Sequence, residues 1–149
     1  MSSNRMRDNV ERWLTHESHS FEFIKNPENL FHVLVKHAGK AGVPIEIFEP
    51  KKQPGFLIVG SKVDMKNNQI ARYLGFSTDE KARFEKKVGD YCYSLQAIHK
   101  IIEEDGKQKI GVYAVLDDKV DLNQQVLFDT VDKVSEMHEK TARFLLKTF

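Results

Sequence analysis

The stretch from Val43 to Val63, VPIEIFEPKKQPGFLIVGSKV, constrains the fold more than any other part of the chain. Ile45, Ile47 and Glu49 alternate with Glu46 and Phe48, the two-residue period of a pleated strand. The run Glu49-Pro50-Lys51-Lys52-Gln53-Pro54-Gly55 breaks that strand, because proline has no amide to give to a ladder and Gly55 relaxes the backbone. Phe56-Leu57-Ile58-Val59 then resumes as a nearly continuous apolar run, the pattern of a strand central in its sheet or covered on both faces. A hairpin of this kind needs further strands beside it and a layer against its apolar face.

The segments before it supply strands. Phe21–Ile24 and Leu30–His37 read as short strands joined by a polar turn, with Phe31, Val33 and Val35 on one face of the second and His32, Leu34 and Lys36 on the other. Four strands in succession with short connections form an antiparallel meander. Ahead of them, Met6, Val10, Trp13 and Leu14 recur at helical spacing over residues 5–17, with Ser3 or Asn4 as the expected cap. Behind them, Asp64 is the expected cap of a short helix ending near Gly75, and Ser77-Thr78-Asp79-Glu80 reads as a capping box. Phe84, Val88, Tyr91, Leu95, Ile98 and Ile102 continue from that box at steps of three and four, predicting one helix of about 25 residues. Gly89 inside it marks a place where another element comes close. Ile110–Leu116 is a fifth strand, and Asp121 is the expected cap of a last long helix running to Phe149. The expectation is one α+β domain over residues 1–149: a five-stranded, mainly antiparallel sheet, an N-terminal helix and two long C-terminal helices.

The totals restrict function. A chain of 149 residues with 40% hydrophobic and 30% charged residues suits a single globular domain. Its net charge of +1 lacks the basic excess that phosphate neutralisation requires, which argues against nucleic acid, and it sets up little repulsion between copies. One cysteine, Cys92, forms no internal disulfide and fits a reducing cytoplasm. No apolar stretch reaches the ~20 residues of a membrane span, and the N-terminus lacks a signal-peptide core.

Candidate chemistry is sparse. His16 and His19 could share a metal but lack further ligands, so a solvated helix end explains them as well. His32 and His37 fall out of phase on their strand and suit surface or edge positions, while His99 and His138 are expected on different helices. Cys92, inside a helix and without a neighbouring base, reads as a packed thiol. Asp117, Asp118 and Asp121 could bind a divalent cation, but turn formation and capping account for them too. The Gly39–Gly42 segment leads into a strand and lacks the phosphate-loop spacing. Lys51-Lys52 and Lys86-Lys87 read as solvated faces. No cofactor is implied, and neither a catalytic dyad nor a triad is visible in the sequence.

An apolar surplus stands out. If the helices lie on one side of the sheet, the other side has to be buried by another chain or remain an exposed patch. The residues expected to form that partner or dimer surface are Ile45, Ile47, Phe48, Phe56 and Ile58. The reading that follows is a non-enzymatic protein-binding module, chaperone- or adaptor-like and homodimeric. The alternative is a small-ligand-binding protein or hydrolase with a site near Asp117 and Asp118.

Trp13-Leu14, Pro44-Ile45-Glu46-Ile47 through Pro50, Phe56–Val59 and YAVLDD…DLNQQVLFDTVDKV carry a resemblance. The chain resembles a family of small uncharacterised prokaryotic α+β proteins, a domain of unknown function, and is similar at fold level to type III secretion chaperone-like proteins. That likeness implies dimers that hold partner polypeptides against an apolar sheet or helix surface. It brings no catalytic residues.

Overall fold

Ten elements follow one another in the computed structural model, which describes residues 2–94, 97–120 and 122–149. They are α1 (Ser2–His16), β1 (Phe21–Phe23), β2 (Asn29–Ala38), β3 (Val43–Pro50), β4 (Phe56–Asp64), α2 (Asn67–Leu74), α3 (Thr78–Ser94), β5 (Ile98–Glu104), β6 (Lys107–Asp117) and α4 (Gln124–Thr148). The strands form one antiparallel sheet in the order β1-β2-β3-β4-β6-β5. The meander β1 to β4 is therefore present, and β4 lies inside the sheet between β3 and β6.

Two features correct the expected architecture: the sheet has six strands, not five, and three helices follow the meander, of which α4 alone is long. Both corrections have one origin. The expected 25-residue helix stops at Ser94, and Ile98–Glu104 pairs with β6 from Ile98↔Tyr113 to Glu104↔Lys107. Asp105 and Gly106 make the turn at φ 54° and 73°. Two consecutive left-handed residues give the hairpin turn whose twist matches the strands, and Asp-Gly is a preferred dipeptide for it. Of the residues assigned to that helix, Leu95 lies outside the described residues.

The caps are partly as expected. Ser77 Oγ accepts from the Glu80 amide at 3.2 Å and Glu80 Oε1 accepts from the Ser77 amide at 3.0 Å, the reciprocal capping box. Asp64 instead ends β4, and the start of α2 is held by Gln69 Oε1 accepting from the Lys66 amide at 2.8 Å. Asp121 lies outside the described residues; Asn123 caps α4, its Oδ1 accepting from the Val126 amide at 2.9 Å. Helix α1 begins at Ser2, so Ser3 and Asn4 fall inside it.

The core forms between one face of the sheet and the helices. Val33, Val35, Ile45, Ile47, Leu57, Val59, Ile110 and Val112 are almost wholly buried there, against Met6, Val10 and Leu14 of α1 and Leu127, Val131, Val134 and Leu145 of α4. Alternation explains the set, because residues two apart share a face. Helix α3 closes on β5 at Gly89, where a Cβ would stand 3.2 Å from the His99 ring, so the glycine does mark a close approach. Gly39, at φ 68°, serves the same end at the β2–β3 turn. A Cβ there would lie 2.4 Å from Ser135 Cβ, and Ser135 donates to the Ala38 carbonyl while accepting from the Ala41 amide. The Gly39–Gly42 segment thus clamps α4 to the sheet.

Candidate functional site

The other parity of the strands forms a second face that none of the described elements covers. It carries His32 on β2, Glu46 and Phe48 on β3, Phe56, Ile58, Gly60, Lys62 and Asp64 on β4, Lys109, Gly111, Tyr113 and Val115 on β6, and Ile98, Lys100, Ile102 and Glu104 on β5. The expected partner surface divides accordingly. Ile45 and Ile47 are each 0% exposed beneath the helices and belong to the core, whereas Phe48, Phe56 and Ile58 lie on the open face. The correction follows from parity, since Ile45 and Ile47 cannot share a face with Phe48.

A diagonal row of hydrogen-bonded and ion-paired side chains crosses this face. Asn29 Nδ2 lies 3.0 Å from His32 Nδ1, and His32 Nε2 lies 2.8 Å from Glu46 Oε1. Glu46 Oε2 faces Lys62 Nζ at 3.7 Å, and Lys62 Nζ donates to Glu104 Oε2 at 2.7 Å. Lys109 Nζ then bridges Glu104 Oε1 at 3.4 Å and Asp64 Oδ1 at 3.6 Å. The row steps down the sheet because His32 is level with Phe48, two residues beyond Glu46, and Glu46 is level with Gly60, two residues before Lys62.

Two glycines make the floor. Tyr113 lies flat across Gly60, its cross-strand partner, and Gly111 on its own strand; a Cβ would come within 2.2 Å of the ring at Gly60 and 2.5 Å of the hydroxyl at Gly111. Phe48 meets the Tyr113 ring edge-on at 6.4 Å between centroids, and His32 stacks on Phe48 at 5.0 Å. The result is a shallow basin of about 520 Å³ above Tyr113, with Ile58, Ile98 and Val115 on one side and Glu46, Lys62 and Glu104 on the other.

Electrostatics favours the charged forms of Glu46, Lys62 and Glu104. Burial alone would raise the Glu46 carboxyl, but the His32 hydrogen bond and the nearby Lys62 outweigh it and hold Glu46 below the usual carboxylate range. The Lys62 hydrogen bond dominates at Glu104 and lowers it too. Lys62 is raised, its two carboxylates overcoming the desolvation that works against it, and burial raises Tyr113. Each of these shifts moves a group's titration away from neutrality.

The other candidates resolve into structural roles. His16 Nδ1 contacts Gln124, and His19 stacks on Phe128 at 5.3 Å; among the described residues no group of three or more His, Cys, Asp or Glu side chains could hold a metal. Asp118 pairs with Arg5 at 3.1 Å, and Asp117 Oδ1 accepts from the Lys119 amide at 2.9 Å. Cys92 is fully buried, and burial pushes its thiol up to about 11. His99 sits on β5 rather than on a helix, and His32 is buried rather than superficial. Lys51 and Lys52 are exposed on the β3–β4 turn, as are Lys86 and Lys87 on α3.

One arrangement imitates catalysis. Ser61 Oγ lies 2.6 Å from His138 Nδ1, yet it donates to the Pro44 carbonyl at 2.8 Å. The imidazole is then the donor in the Ser61–His138 contact and cannot take the serine proton. Ser61 is also only 1% exposed on the helix-covered face. The pair ties α4 to β4 and has no access to a substrate.

A family model described as "Uncharacterized conserved protein (DUF2299)" matches residues 6–145. The chain belongs to that family. A solved structure shares the family member's fold: the crystal structure of an uncharacterized protein from Methanothermobacter thermautotrophicus, with a TM-score of 0.73 over 99% of each chain at 14% identity. That likeness speaks for the fold alone. No curated protein matches the chain. None of these findings ties the chain to type III secretion chaperones.

Proposed function

We propose that this chain is a non-enzymatic protein-binding module that acts as a homodimer through the open face of its sheet. The uncovered face carries the reading: Phe56 is 38%, Val115 41% and Ile98 57% exposed on it. An antiparallel sheet commonly leaves one face in water, but that face is then polar, and large apolar residues gathered on it point to a second layer. The charge row supports the same reading. Its members are paired within the chain, so covering them leaves few charges unmatched. Glu46 and Glu104 are held below the usual carboxylate range, the opposite direction from a carboxyl tuned for acid–base work near pH 7. A cytoplasmic setting suits the single buried thiol.

Sedimentation equilibrium is the test. The wild type should sediment at twice 17.3 kDa at micromolar concentration, and Val115→Asp should shift it to the monomer while its far-ultraviolet dichroism stays unchanged. A wild type that remains monomeric at tens of micromolar overturns the homodimer.

The basin above Tyr113 favours a second reading, a small-ligand-binding protein. It replaces the neighbourhood of Asp117 and Asp118, which are spent on the turn and on Arg5. A monomeric wild type that binds the apolar dye 1-anilinonaphthalene-8-sulfonate, with binding lost in Tyr113→Ala, would favour this reading over the first.

A further inference from the structure

The charge row specifies more than the presence of a partner. We infer that two copies meet face to face about a two-fold axis that lies in the plane of the interface, at right angles to the row. This axis crosses between β3 and β4, so that Glu46 of each copy faces the partner's Lys62. The inference rests on the homodimer reading and adds its orientation and register.

The argument is one of symmetry. A two-fold contact sets a surface patch against itself, so it must be self-complementary. An axis running along the row would place every charge over its own copy, and so would an axis perpendicular to the row that passed through a charge. Like charges opposed across an interface disfavour association strongly. An axis perpendicular to the row and between Glu46 and Lys62 exchanges the two, setting each copy's Glu46 on the other's Lys62.

Size selects which gap the axis uses. Three strands lie on each side of the β3–β4 boundary, namely β1, β2 and β3 against β4, β6 and β5. Glu46 on β3 and Lys62 on β4 flank that boundary, 3.7 Å apart at their charged atoms. Centring there overlaps the two sheets completely. Six strands at about 4.8 Å spacing give a face roughly 24 Å wide, and a similar length along the strands gives about 580 Å², close to the ~600 Å² per partner at the small end of stable interfaces. An axis between Lys62 and Glu104, toward the β5 edge, would leave β1 and β2 uncovered. Side chains in the row retain enough exposure to be reached, with Lys62 at 27%, Glu104 at 39% and Glu46 at 15%.

The pattern permits a mixing experiment. In Glu46→Lys, two lysines of one copy would oppose two of the other; in Lys62→Glu, four carboxylates would meet. Each variant alone should self-associate at least ~10-fold more weakly than wild type by sedimentation equilibrium. Mixed one to one, they regain complementary rows and should form a heterodimer within about threefold of the wild-type affinity. Mixing cannot repair a defect inside one chain, so rescue separates contact across the interface from the loss of the internal Glu46–Lys62 pair. Variants that dimerise as tightly as wild type, or a mixture that stays monomeric, overturn this register while the homodimer stands. A monomeric wild type overturns the homodimer and the register together. Should either reversal unfold the chain, Lys62→Gln takes its place: a several-fold weaker dimer supports the register and an unchanged one refutes it.

Discussion

Gly60→Ala is the most direct probe of how the open face is built. The backbone at Gly60 needs no left-handed conformation, so alanine is acceptable there except for space. The space is missing, because the new Cβ would stand 2.2 Å from Tyr113 Cδ1 and 2.5 Å from Cε1. The ring must lift off the glycine floor. Lifting it re-exposes on the order of 60 Å² of apolar surface, about 1.5 kcal/mol at 25 cal/mol per Å². An off-rotamer side chain adds roughly 0.5–1.5 kcal/mol, while removing a strand glycine returns about 0.5–1 kcal/mol. The net destabilisation should be about 1–2.5 kcal/mol. Urea unfolding followed by the fluorescence of Trp13 would measure it, the chain having one tryptophan. In a Tyr113→Ala background the same substitution should be neutral or stabilising by about 0.5 kcal/mol, since only the backbone gain is left. An equal cost in both backgrounds would show that the ring does not rest on Gly60.

Two further expectations follow from buried groups. Burial lowers His138 below its ordinary 6.5 against a weaker pull from Asp64. A histidine held neutral by the fold contributes stability that is complete above about pH 6.5 and is lost as pH falls through its depressed folded value. The urea midpoint should therefore drop between pH 7.5 and 5.5, and His138→Gln should flatten that drop; an undiminished drop in the variant would assign it to other groups. Cys92, with its thiol pushed up to about 11 from 9.0, should react with an aromatic disulfide at pH 8 at least ~100-fold more slowly in the native protein than in urea. Comparable rates in the two conditions would place it near the surface.

The meander was legible because its signals are local. Ile45 and Ile47 alternate with polar or opposite-facing residues, and Pro50, Pro54 and Gly55 punctuate the turn. β5 was misread because Ile98 and Ile102 stand four apart, a step shared by a strand face and a helix face, directly after the helical row of Phe84 and Val88. Asp105-Gly106 was the feature that decides between them. The open-face row was hidden for a different reason. His32, Glu46, Lys62 and Glu104 are ordinary charged or polar residues far apart in the chain, and only the register of β2, β3, β4, β6 and β5 brings them together. Parity offered a partial signal, since Glu46 and Phe48 share the face opposite Ile45 and Ile47. The same parity separates Ile45 and Ile47 from Phe48, which the expected partner surface placed together.

An open sheet face must satisfy two opposed demands before and after it is covered. A wholly apolar face would drive association but would also accept any apolar surface, including wrong registers of itself. The row through Glu46, Lys62, Glu104 and Lys109 keeps the centre of this face hydrated while the chain is alone. Phe56, Val115 and Ile98 retain the apolar area that gains from burial. Because the charges are already paired, the row adds little affinity of its own on covering. In the proposed homodimer its effect would be on orientation: a misaligned copy would oppose like charges, and an aligned one would not. On that proposal the apolar residues would supply affinity and the charge row would set register. For that reason Val115→Asp should shift the protein to the monomer whatever it is mixed with, whereas the weakening caused by Lys62→Glu should be reversed when the complementary variant is supplied.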